Sequence, residues 1–347
     1  MGDVLEFSNT RINSSELNSG NYVSTENILQ NFQGIVKARS IPEDTNVMAF
    51  SCGNILLSNI RPYLKKVWKA TFNGGCSSDV FVLQANSNID ADYLHYVVAN
   101  DKFIGFVMNG AKGVKMPRGD KNQMKTYSLS LPSIKEQRKI SRFLSFLDER
   151  IAVQNRLIED LKKLRCAVSN KLFQSVKGVV IPLSGISNIV KGKQINGDFL
   201  AEVGEYYVMN GGTEPSGYYD NYNVEANTIS ISEGGNSCGY VQFNRMPFWS
   251  GGHCYTIQDI ASDVETLYLY HYLKSKEDSI MKLRIGTGLP NIQKKDLAEF
   301  KVIIPAIEQQ RTISNILSLL ERKTEIEGRM LIAMRTEKQY LLRQMFI

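Results

Sequence analysis

Basic and amide side chains interleaved with aromatic residues are the clearest chemical feature of residues 1–130. The segment Ser58–Lys69 reads SNIRPYLKKVWK, and the glycine-rich segment Lys112–Lys121 reads KGVKMPRGDK. Lysine and arginine contact phosphate groups, and arginine, asparagine and serine can also read the edges of bases. This pattern favours nucleic-acid binding. The candidate side chains in this region are Ser58, Asn59, Arg61, Lys65, Lys66, Lys69, Lys112, Lys115, Arg118 and Lys121.

A second set of basic and polar side chains lies in residues 177–303, close to glycine-containing turns. This region carries 11 Lys+Arg against 14 Asp+Glu, a net charge of −3, although the whole chain carries +6. Net charge alone therefore does not make it a nucleic-acid binder, and we expect its cations to be concentrated on one face. The candidates are Lys191, Lys193, Asn210, Asn236, Lys282, Arg284, Thr287, Asn291, Lys294 and Lys295.

The sequence gives little indication of a catalytic or metal-binding site. It contains neither the GxxxxGK[ST] phosphate loop nor the HExxH zinc motif. The five cysteines are widely spaced, and only His253 and Cys254 are adjacent, a spacing that rarely chelates one metal. With no apolar run long enough for a membrane span and no secretory signal, we predict a cytoplasmic, non-catalytic protein with reduced thiols, no metal and no cofactor.

The elements that would position these side chains are duplicated. Leu131–Arg150 reads LPSIKEQRKISRFLSFLDER, and Ile304–Lys323 reads IPAIEQQRTISNILSLLERK, without a gap between the two. Identical pairs at the offset of 173 residues include Pro132 and Pro305, Ile134 and Ile307, Gln137 and Gln310, and Leu144 and Leu317. A repeat this long indicates two domain-sized halves, so any binding site should be present twice.

Both copies of the repeat predict long helices. Ser133 and Glu136 form a capping-box pattern, and a 3–4 spacing of apolar residues follows in each copy, as in a coiled-coil seam. The predicted helix-pairing residues are Leu144, Leu147, Ile151, Ile158, Leu161, Arg165, Leu317, Leu320, Glu327, Leu331, Met334 and Leu341. If the helices pair antiparallel, Arg165 lies near Glu327 and Lys338 lies near Gln154. The alternative is that each helix packs only on its own half.

The predicted organisation is two α+β domains, residues 1–130 and 177–303, and two helical segments, residues 131–176 and 304–347. The α+β regions are rich in glycine, asparagine, serine and tyrosine, with short β-like runs such as Asn54–Ser58 and Asn227–Ser232. The helical segments would hold the two domains apart, and a helix from Ser145 to Phe173 would be about 45 Å long.

The repeated Pro-x-Ile-x-x-Gln-x-x-Ile helix after each α+β region resembles the specificity subunit of type I restriction–modification systems. The most specific parts are the two repeated helices, with Lys112–Pro117 and Gly286–Pro290 upstream of them. The resemblance implies two pseudo-repeated target recognition domains separated by two long antiparallel coiled-coil helices. It also implies double-stranded DNA and two methyltransferase subunits as partners and, where restriction occurs, two restriction/translocase subunits. Many members have more sequence before the Gly-Asp pair that is here Gly2-Asp3, so we expect a weakened edge of the first domain or a weakened contact between that domain and the C-terminal helix.

The sequence therefore predicts a DNA-recognition subunit that binds a bipartite, asymmetric site. Two unlike readers held at a fixed distance would read two unlike half-sites, about one helical turn of 34 Å apart. Two alternatives stay open. One is a coiled-coil assembly scaffold whose two domains bind proteins and have no DNA specificity, and the other is a duplicated enzyme with an unrecognised site.

Overall fold

The computed structural model of the protein describes residues 1–286, 288 and 290–346. The chain forms two compact units. Unit 1 comprises Met1–Asn155 and Met330–Ile347, and unit 2 comprises Arg156–Arg329. No helix in the described part of the chain combines the length and apolar composition of a membrane span.

The globular part of unit 1 consists of two four-stranded sheets. Its strands are β1 (Leu5–Phe7), β2 (Arg11–Asn13), β3 (Tyr22–Val23), β4 (Asn46–Phe50), β5 (Ile55–Ser58), β6 (Val67–Lys69), β7 (Gly74–Cys76) and β8 (Val80–Ala85). One sheet has the order β1-β8-β5-β6 and is antiparallel, and the other has the order β2-β4-β7-β3 with β3 and β7 parallel. Strand β5 is buried at every position, as expected for the centre of a sheet covered on both faces.

Unit 2 repeats this arrangement of sheets. Its strands are β9 (Val179–Pro182), β10 (Asn188–Lys191), β11 (Tyr206–Met209), β12 (Tyr218–Tyr219), β13 (Thr228–Ser232), β14 (Val241–Asn244), β15 (Trp249–Ser250), β16 (Cys254–Gln258) and β17 (Lys301–Ile304). The antiparallel order β10-β16-β13-β14 matches β1-β8-β5-β6, and the parallel pair β11 and β15 matches β3 and β7. The predicted α+β class and internal duplication are therefore confirmed.

Short helices complete both units. Unit 1 contains α1 (Ala91–Val98), α2 (Asp101–Asn109) and α3 (Lys121–Lys125), and unit 2 contains α5 (Thr266–Ser275), α6 (Glu277–Met281) and α7 (Lys294–Ala298). Helix α1 begins at Asp90, whose carboxylate accepts hydrogen bonds from two backbone N–H groups of its first turn. Helix α5 begins after Glu265, whose carboxylate accepts a hydrogen bond from one backbone N–H group, that of Tyr268.

The two predicted long helices are present as α4 (Ile134–Ser175) and α8 (Ile307–Met345). Helix α4 begins with the predicted capping box, because Ser133 N donates to the Glu136 carboxylate at 3.2 Å and Glu136 N donates to Ser133 Oγ at 3.3 Å. At 1.5 Å per residue, α4 and α8 are each about 60 Å long, which is longer than the predicted 45 Å because the helical region starts at the repeat itself.

Each unit packs its first short helix against the two long helices. In unit 1, Tyr93 of α1 shares a core with Leu144 of α4, and its ring centroid lies 5.1 Å from that of Phe346. In unit 2, Tyr268 of α5 shares a core with Leu317 of α8, and its ring lies 5.9 Å from that of Phe173 in α4. The repeated leucine and phenylalanine therefore have the same structural role in both units.

The duplicated glutamine links each short helix to the start of a long one. Gln137 accepts a hydrogen bond from Asp90 N at 2.8 Å and donates to Pro132 O at 3.0 Å. Gln310 accepts from Glu265 N at 2.8 Å and donates to Pro305 O at 2.9 Å. Both glutamines are almost fully buried. Gln137 also donates to Asn88 O and Gln310 to Asp263 O, so each glutamine satisfies three backbone groups.

The predicted register of the long helices is wrong, although the predicted direction is correct inside unit 1. There Asp148 of α4 pairs with Lys338 of α8, and Asn155 pairs with Arg335, so the helices run antiparallel. In unit 2, Arg165 pairs with Glu321 at 3.1 Å, six residues before the predicted Glu327. A heptad pattern fixes the face of a helix, but sliding the helix by about one heptad preserves that face. All the predicted helix-pairing side chains are buried or half-buried.

The two interhelical ion pairs are copies of one another. Asp148 and Lys338 correspond to Glu321 and Arg165 at the 173-residue offset, and a tyrosine hydroxyl from the first short helix donates to each carboxylate at 2.9 Å. For the Arg165–Glu321 pair we expect a double-mutant coupling energy of about 1 kcal/mol in urea unfolding, because the carboxylate is mostly buried. The exposed Glu159–Lys162 pair is the control, with a coupling of about 0.3 kcal/mol. Equal coupling in both pairs would contradict the interpretation.

Candidate nucleic-acid interface

Three segments of unit 1 meet beyond the end of β5, at the place where the sequence pattern changes from apolar to basic. Backbone hydrogen bonds join Asn59 N to Asp79 O at 2.8 Å, Gly119 N to Asn59 O at 3.2 Å, and Arg61 N to Pro117 O at 2.8 Å. We call this the unit 1 junction (residues 58–61, 79 and 112–119). Its loop is closed by reciprocal backbone bonds between Lys112 and Arg118, both 2.9 Å.

The same backbone pattern occurs in unit 2 beyond the end of β13. Glu233 N donates to His253 O at 2.9 Å, Ile292 N donates to Glu233 O at 2.9 Å, and Gly235 N donates to Pro290 O at 3.0 Å. Reciprocal bonds between Ile285 and Asn291, 2.8 and 3.0 Å, close the loop. We call this the unit 2 junction (residues 232–235, 253, 285–286 and 290–292).

The two junctions have the same backbone hydrogen-bond pattern but carry different side chains. The glycine that follows the first closing residue has a positive φ in both, 93° at Gly113 and 100° at Gly286, a conformation that only glycine adopts readily. The two junctions share this glycine and the proline acceptors Pro117 and Pro290, but the side chains differ at five other equivalent positions. The pairs are Asn59 and Glu233, Arg61 and Gly235, Asp79 and His253, Lys112 and Ile285, and Arg118 and Asn291.

The unit 1 junction presents cations. Arg61 is exposed and has a left-handed backbone, φ 51°, which its N–H bond to Pro117 O holds in place. Arg118 lies 3.1 Å from the Asp79 carboxylate, and Lys112 lies 2.6 Å from that of Asp120 and lowers the pKa of that group. Because these ion pairs are exposed, they cost little to exchange for phosphate or base contacts. Asn59 Oδ1 is buried without a hydrogen-bond partner.

The unit 2 junction is centred on a buried carboxylate. Glu233 is 7% exposed, and its Oε1 accepts from Lys191 Nζ at 2.6 Å and from the Tyr255 hydroxyl at 3.0 Å. Burial, together with the bond to Glu233, raises the pKa of Tyr255. His253 Nδ1 lies 3.7 Å from the other carboxylate oxygen, Oε2, and the histidine side chain is 63% exposed. This junction therefore presents an acid, an imidazole and an amide where unit 1 presents cations.

A neighbouring asparagine holds the histidine backbone. Asn210 Oδ1 accepts from His253 N at 3.1 Å. A Cβ on Gly251 would lie 2.6 Å from Asn210 Oδ1, so only glycine fits beside this side chain. Gly251 thus allows the close approach of the two turns that carry Asn210 and His253.

The structure brings together only some of the candidates in unit 1. Ser58, Asn59, Arg61, Lys112 and Arg118 lie at the junction, with Lys115 exposed in its loop, but Ser58 is buried and donates to Ile60 O at 2.9 Å. The other lysines have partners away from the junction. Lys65 pairs with Asp101, Lys66 with Thr25 O, and Lys69 with Asp92, while Lys121 lies over the rings of Phe7 and Phe81.

The candidates in unit 2 are divided in the same way. Lys191, Asn210 and Asn291 contact the junction, and Asn236 is exposed in the turn that follows it. Lys193 is exposed next to β10, Lys282 and Arg284 are exposed before the loop, and Lys294 and Lys295 begin α7. Thr287 lies outside the described residues.

The structure supports neither a hydrolase site nor a metal site in the described residues. Gly235–Gly239 has the G-x-S-x-G spacing of hydrolases, but Ser237 lies in a hairpin turn between β13 and β14 and not in a strand-to-helix turn. Across residues 1–286, 288 and 290–346, no three His, Cys, Asp or Glu side chains come together as a metal site.

Comparison with known proteins identifies the family. The model described as "Type I restriction modification DNA specificity domain" matches residues 1–163 and again residues 176–333. The chain belongs to this family. Over 293 residues it is 23% identical to the type I restriction enzyme MjaVIII specificity subunit of Methanocaldococcus jannaschii, covering 72% of this chain and 68% of that protein.

Other relatives of this specificity-domain protein match over shorter stretches or in fold. A type I specificity subunit of Mycoplasma pneumoniae is 33% identical over 145 residues, 41% of this chain and 38% of that protein. The chain therefore spans well under half of the length of this relative. The crystal structure of a type I restriction–modification S subunit from M. genitalium has the same fold, with a TM-score of 0.72 at 22% identity, covering 100% of this chain and 94% of that one.

Sequence reasoning missed Glu233, His253 and Asp79 in this specificity-domain protein. All three flank the junction strands, and two of them are acids, which count against a phosphate-binding surface when composition alone is used. One signal could have found them: each lies directly before or after a strand in a glycine-rich or serine-rich turn.

Proposed function

We propose that this chain is the DNA sequence-recognition subunit of a type I restriction–modification complex, and that each unit reads one half of a bipartite, asymmetric DNA site. The observation that carries the proposal is the repeated junction. One backbone pattern occurs twice with different side chains, as expected of two readers with a common scaffold and unlike targets.

The chemistry of the junctions suits base edges and phosphates. Arginine binds O6 and N7 of guanine through two parallel hydrogen bonds, and Arg61 and Arg118 are both exposed at the unit 1 junction. Lysines on the surrounding loops, such as Lys115 and Lys193, are exposed and available for phosphate contacts. The two half-sites should therefore differ, with guanine in the half read by unit 1.

The test is DNA binding by the complex of this chain with its methyltransferase partner. Methylome sequencing of cells that carry both proteins should give one bipartite motif, and the affinity of the complex for that motif should fall steeply between 50 and 200 mM salt. If the complex binds duplex DNA with no sequence preference and no salt dependence, the scaffold alternative is correct instead.

The methylation chemistry is assigned to the partner subunits. A base in a duplex must leave the stack before an enzyme can modify it, and exposed side chains such as Arg61, Arg118 and His253 lie at the surface of the junctions, as expected of groups that read base edges in a groove. The isolated chain is expected to show no S-adenosylmethionine turnover. Turnover by this chain without a partner would favour the duplicated-enzyme alternative.

A duplicated apolar stripe on the long helices is the proposed docking surface for two methyltransferase subunits. In α4 it consists of Phe143, Phe146 and Val153, which are 45, 49 and 66% exposed. In α8 the residues at the same offset, Ile316, Leu319 and Ile326, are 39, 67 and 43% exposed. Exposed apolar residues at regular helical spacing mark an interaction surface, and one stripe in each unit fits one copy of the partner on each.

Charged substitutions in the stripe should remove the partner without unfolding the chain. Phe146→Asp should lower the methyltransferase:subunit ratio from two to one in sedimentation or native mass spectrometry, and Phe146→Asp with Leu319→Asp should abolish assembly. The control is Arg156→Asp, an exposed position on α4 outside the stripe. A ratio of two in the double variant would refute this surface.

The long helices are the proposed spacer between the two recognised half-sites. Each is one unbroken helix of about 60 Å, longer than one turn of DNA. Inserting one heptad into both α4 and α8 should lengthen the unread gap in the methylated motif by about 3 base pairs, since a heptad adds about 10 Å. An unchanged gap in a variant that still methylates DNA would contradict the spacer role.

A further inference from the structure

The carboxylate of Glu233 has one oxygen that is buried and unsatisfied. Its Oε1 accepts two hydrogen bonds, from Lys191 and Tyr255, whereas Oε2 has no hydrogen-bond partner. A buried acceptor without a donor is unfavourable, so its retention at a junction calls for an explanation in function. The donor-capable group that lies over Oε2 is His253 Nδ1, at a distance of 3.7 Å.

The backbone of His253 is fixed, but its ring is exposed. Its N–H donates to Asn210 Oδ1 and its carbonyl accepts from Glu233 N, both within 3.1 Å. Only the side-chain torsions are therefore free to close the gap of 3.7 Å between Nδ1 and Oε2. Once that bond forms, Nδ1 carries the proton and Nε2 faces away from the protein with a lone pair.

We infer that His253 is a specificity-determining residue of unit 2, and that its Nε2 accepts a hydrogen bond from the exocyclic amino group of an adenine or a cytosine. The inference rests on the proposed DNA-recognition function. Lys191 already compensates the charge of Glu233, at 2.6 Å from Oε1, so Oε2 needs a hydrogen-bond donor and not a second cation, and an imidazole N–H at Nδ1 supplies that donor. In the major groove, adenine N6 and cytosine N4 are the donors that such an acceptor reads.

Glu233 is a positioning residue in this scheme, and its amide variant should invert the reading. In Glu233→Gln, the Lys191 ammonium can only donate toward the Oε1 position, so the amide oxygen must occupy it. The amide nitrogen then lies at the Oε2 position and donates to Nδ1, which moves the imidazole proton to Nε2. A donor then faces the base, and guanine O6 or N7 or thymine O4 becomes the complement.

The experiment uses the complex with its methyltransferase and duplexes carrying the methylome-derived motif. In the half-site read by unit 2, each adenine is replaced in turn by purine and each cytosine by 2-pyrimidinone, which lack only the amino group. We expect one position at which the replacement weakens binding about tenfold. In His253→Ala that position should become insensitive, while Arg39→Ala, an exposed change in unit 1, should leave the sensitivity intact.

The outcomes separate this inference from the proposed function. A complex with no preferred motif overturns the proposed function itself. A clear motif whose amino-sensitive positions are the same in His253→Ala and in the unaltered chain overturns only the inference. The Glu233→Gln variant provides a second measurement, its base preference at that one position. A change from adenine or cytosine to guanine or thymine supports the inference, and an unchanged preference contradicts it.

Discussion

Lowering the pH from 7 to 4 is expected to destabilise both units, because each contains a histidine with a lowered pKa, the buried His271 in unit 2 and the half-buried His95 in unit 1. Burial, followed by the nearby Arg165 and Arg245, lowers the pKa of His271 to about 4, and burial with Lys338 lowers that of His95 to about 4. The unfolded chain takes up these protons near pH 6.5. The free energy of unfolding is therefore unaffected by these histidines above pH 6.5 and falls as the pH drops from 6.5 to 4. The contribution of His271 to this decrease is about 3 kcal/mol.

The two tryptophans allow each unit to be followed by fluorescence. Trp68 lies in unit 1 and Trp249 in unit 2, so Trp68→Phe leaves a reporter for His271 and Trp249→Phe leaves one for His95. His271→Gln keeps a side-chain group that can bond Ser318 Oγ, now 2.9 Å from the imidazole, and should flatten the pH dependence of unit 2. His253→Gln, at an exposed position, is the control. The prediction fails if His271→Gln and His253→Gln have the same pH profile.

The sequence predicted the long helices well because their information is local and repeated. The capping box at Ser133 and the apolar spacing depend on residues a few positions apart, the 173-residue repeat shows the helical pattern a second time, and the structure contains both helices. The interhelical register was not predictable in this way. The tyrosines that select Asp148 and Glu321 come from α1 and α5, more than 50 residues away, so the tertiary fold decides which polar residues of the seam meet.

The sequence predicted which types of residue form the candidate site but not which individual residues lie in it. Lys65 and Lys69 look like phosphate ligands in a basic, aromatic segment, yet their partners are Asp101 and Asp92, which only the packing of α1 and α2 brings near. Glu233 reads as an ordinary surface acid in a turn. Its burial depends on Lys191 and Tyr255, 42 and 22 residues away. Side chains whose role comes from distant partners cannot be recognised from local pattern.

Replacing the duplicated glutamine is expected to loosen one unit at a time. Gln310→Ala removes the acceptor of Glu265 N and the donor to Pro305 O and Asp263 O, and leaves these backbone groups buried beside a small cavity. We expect a loss of about 3 kcal/mol in the free energy of unfolding of unit 2, measured through Trp249 in a Trp68→Phe background. Gln137→Ala should do the same to unit 1, measured through Trp68.

A neighbouring glutamine gives the control, and a second variant separates donation from acceptance. Gln309→Ala changes an exposed side chain of the same type and should cost less than about 0.5 kcal/mol. Gln310→Glu can still accept from Glu265 N but cannot donate to the two carbonyls and buries a charge, so it should be at least as damaging as alanine.

Because the glutamine joins the first short helix of each globular part to the start of a long helix, Gln310→Ala should also loosen the attachment of the globular part to its helix. Equal stability of Gln310→Ala and Gln309→Ala would show that the repeated proline–glutamine spacing has another role.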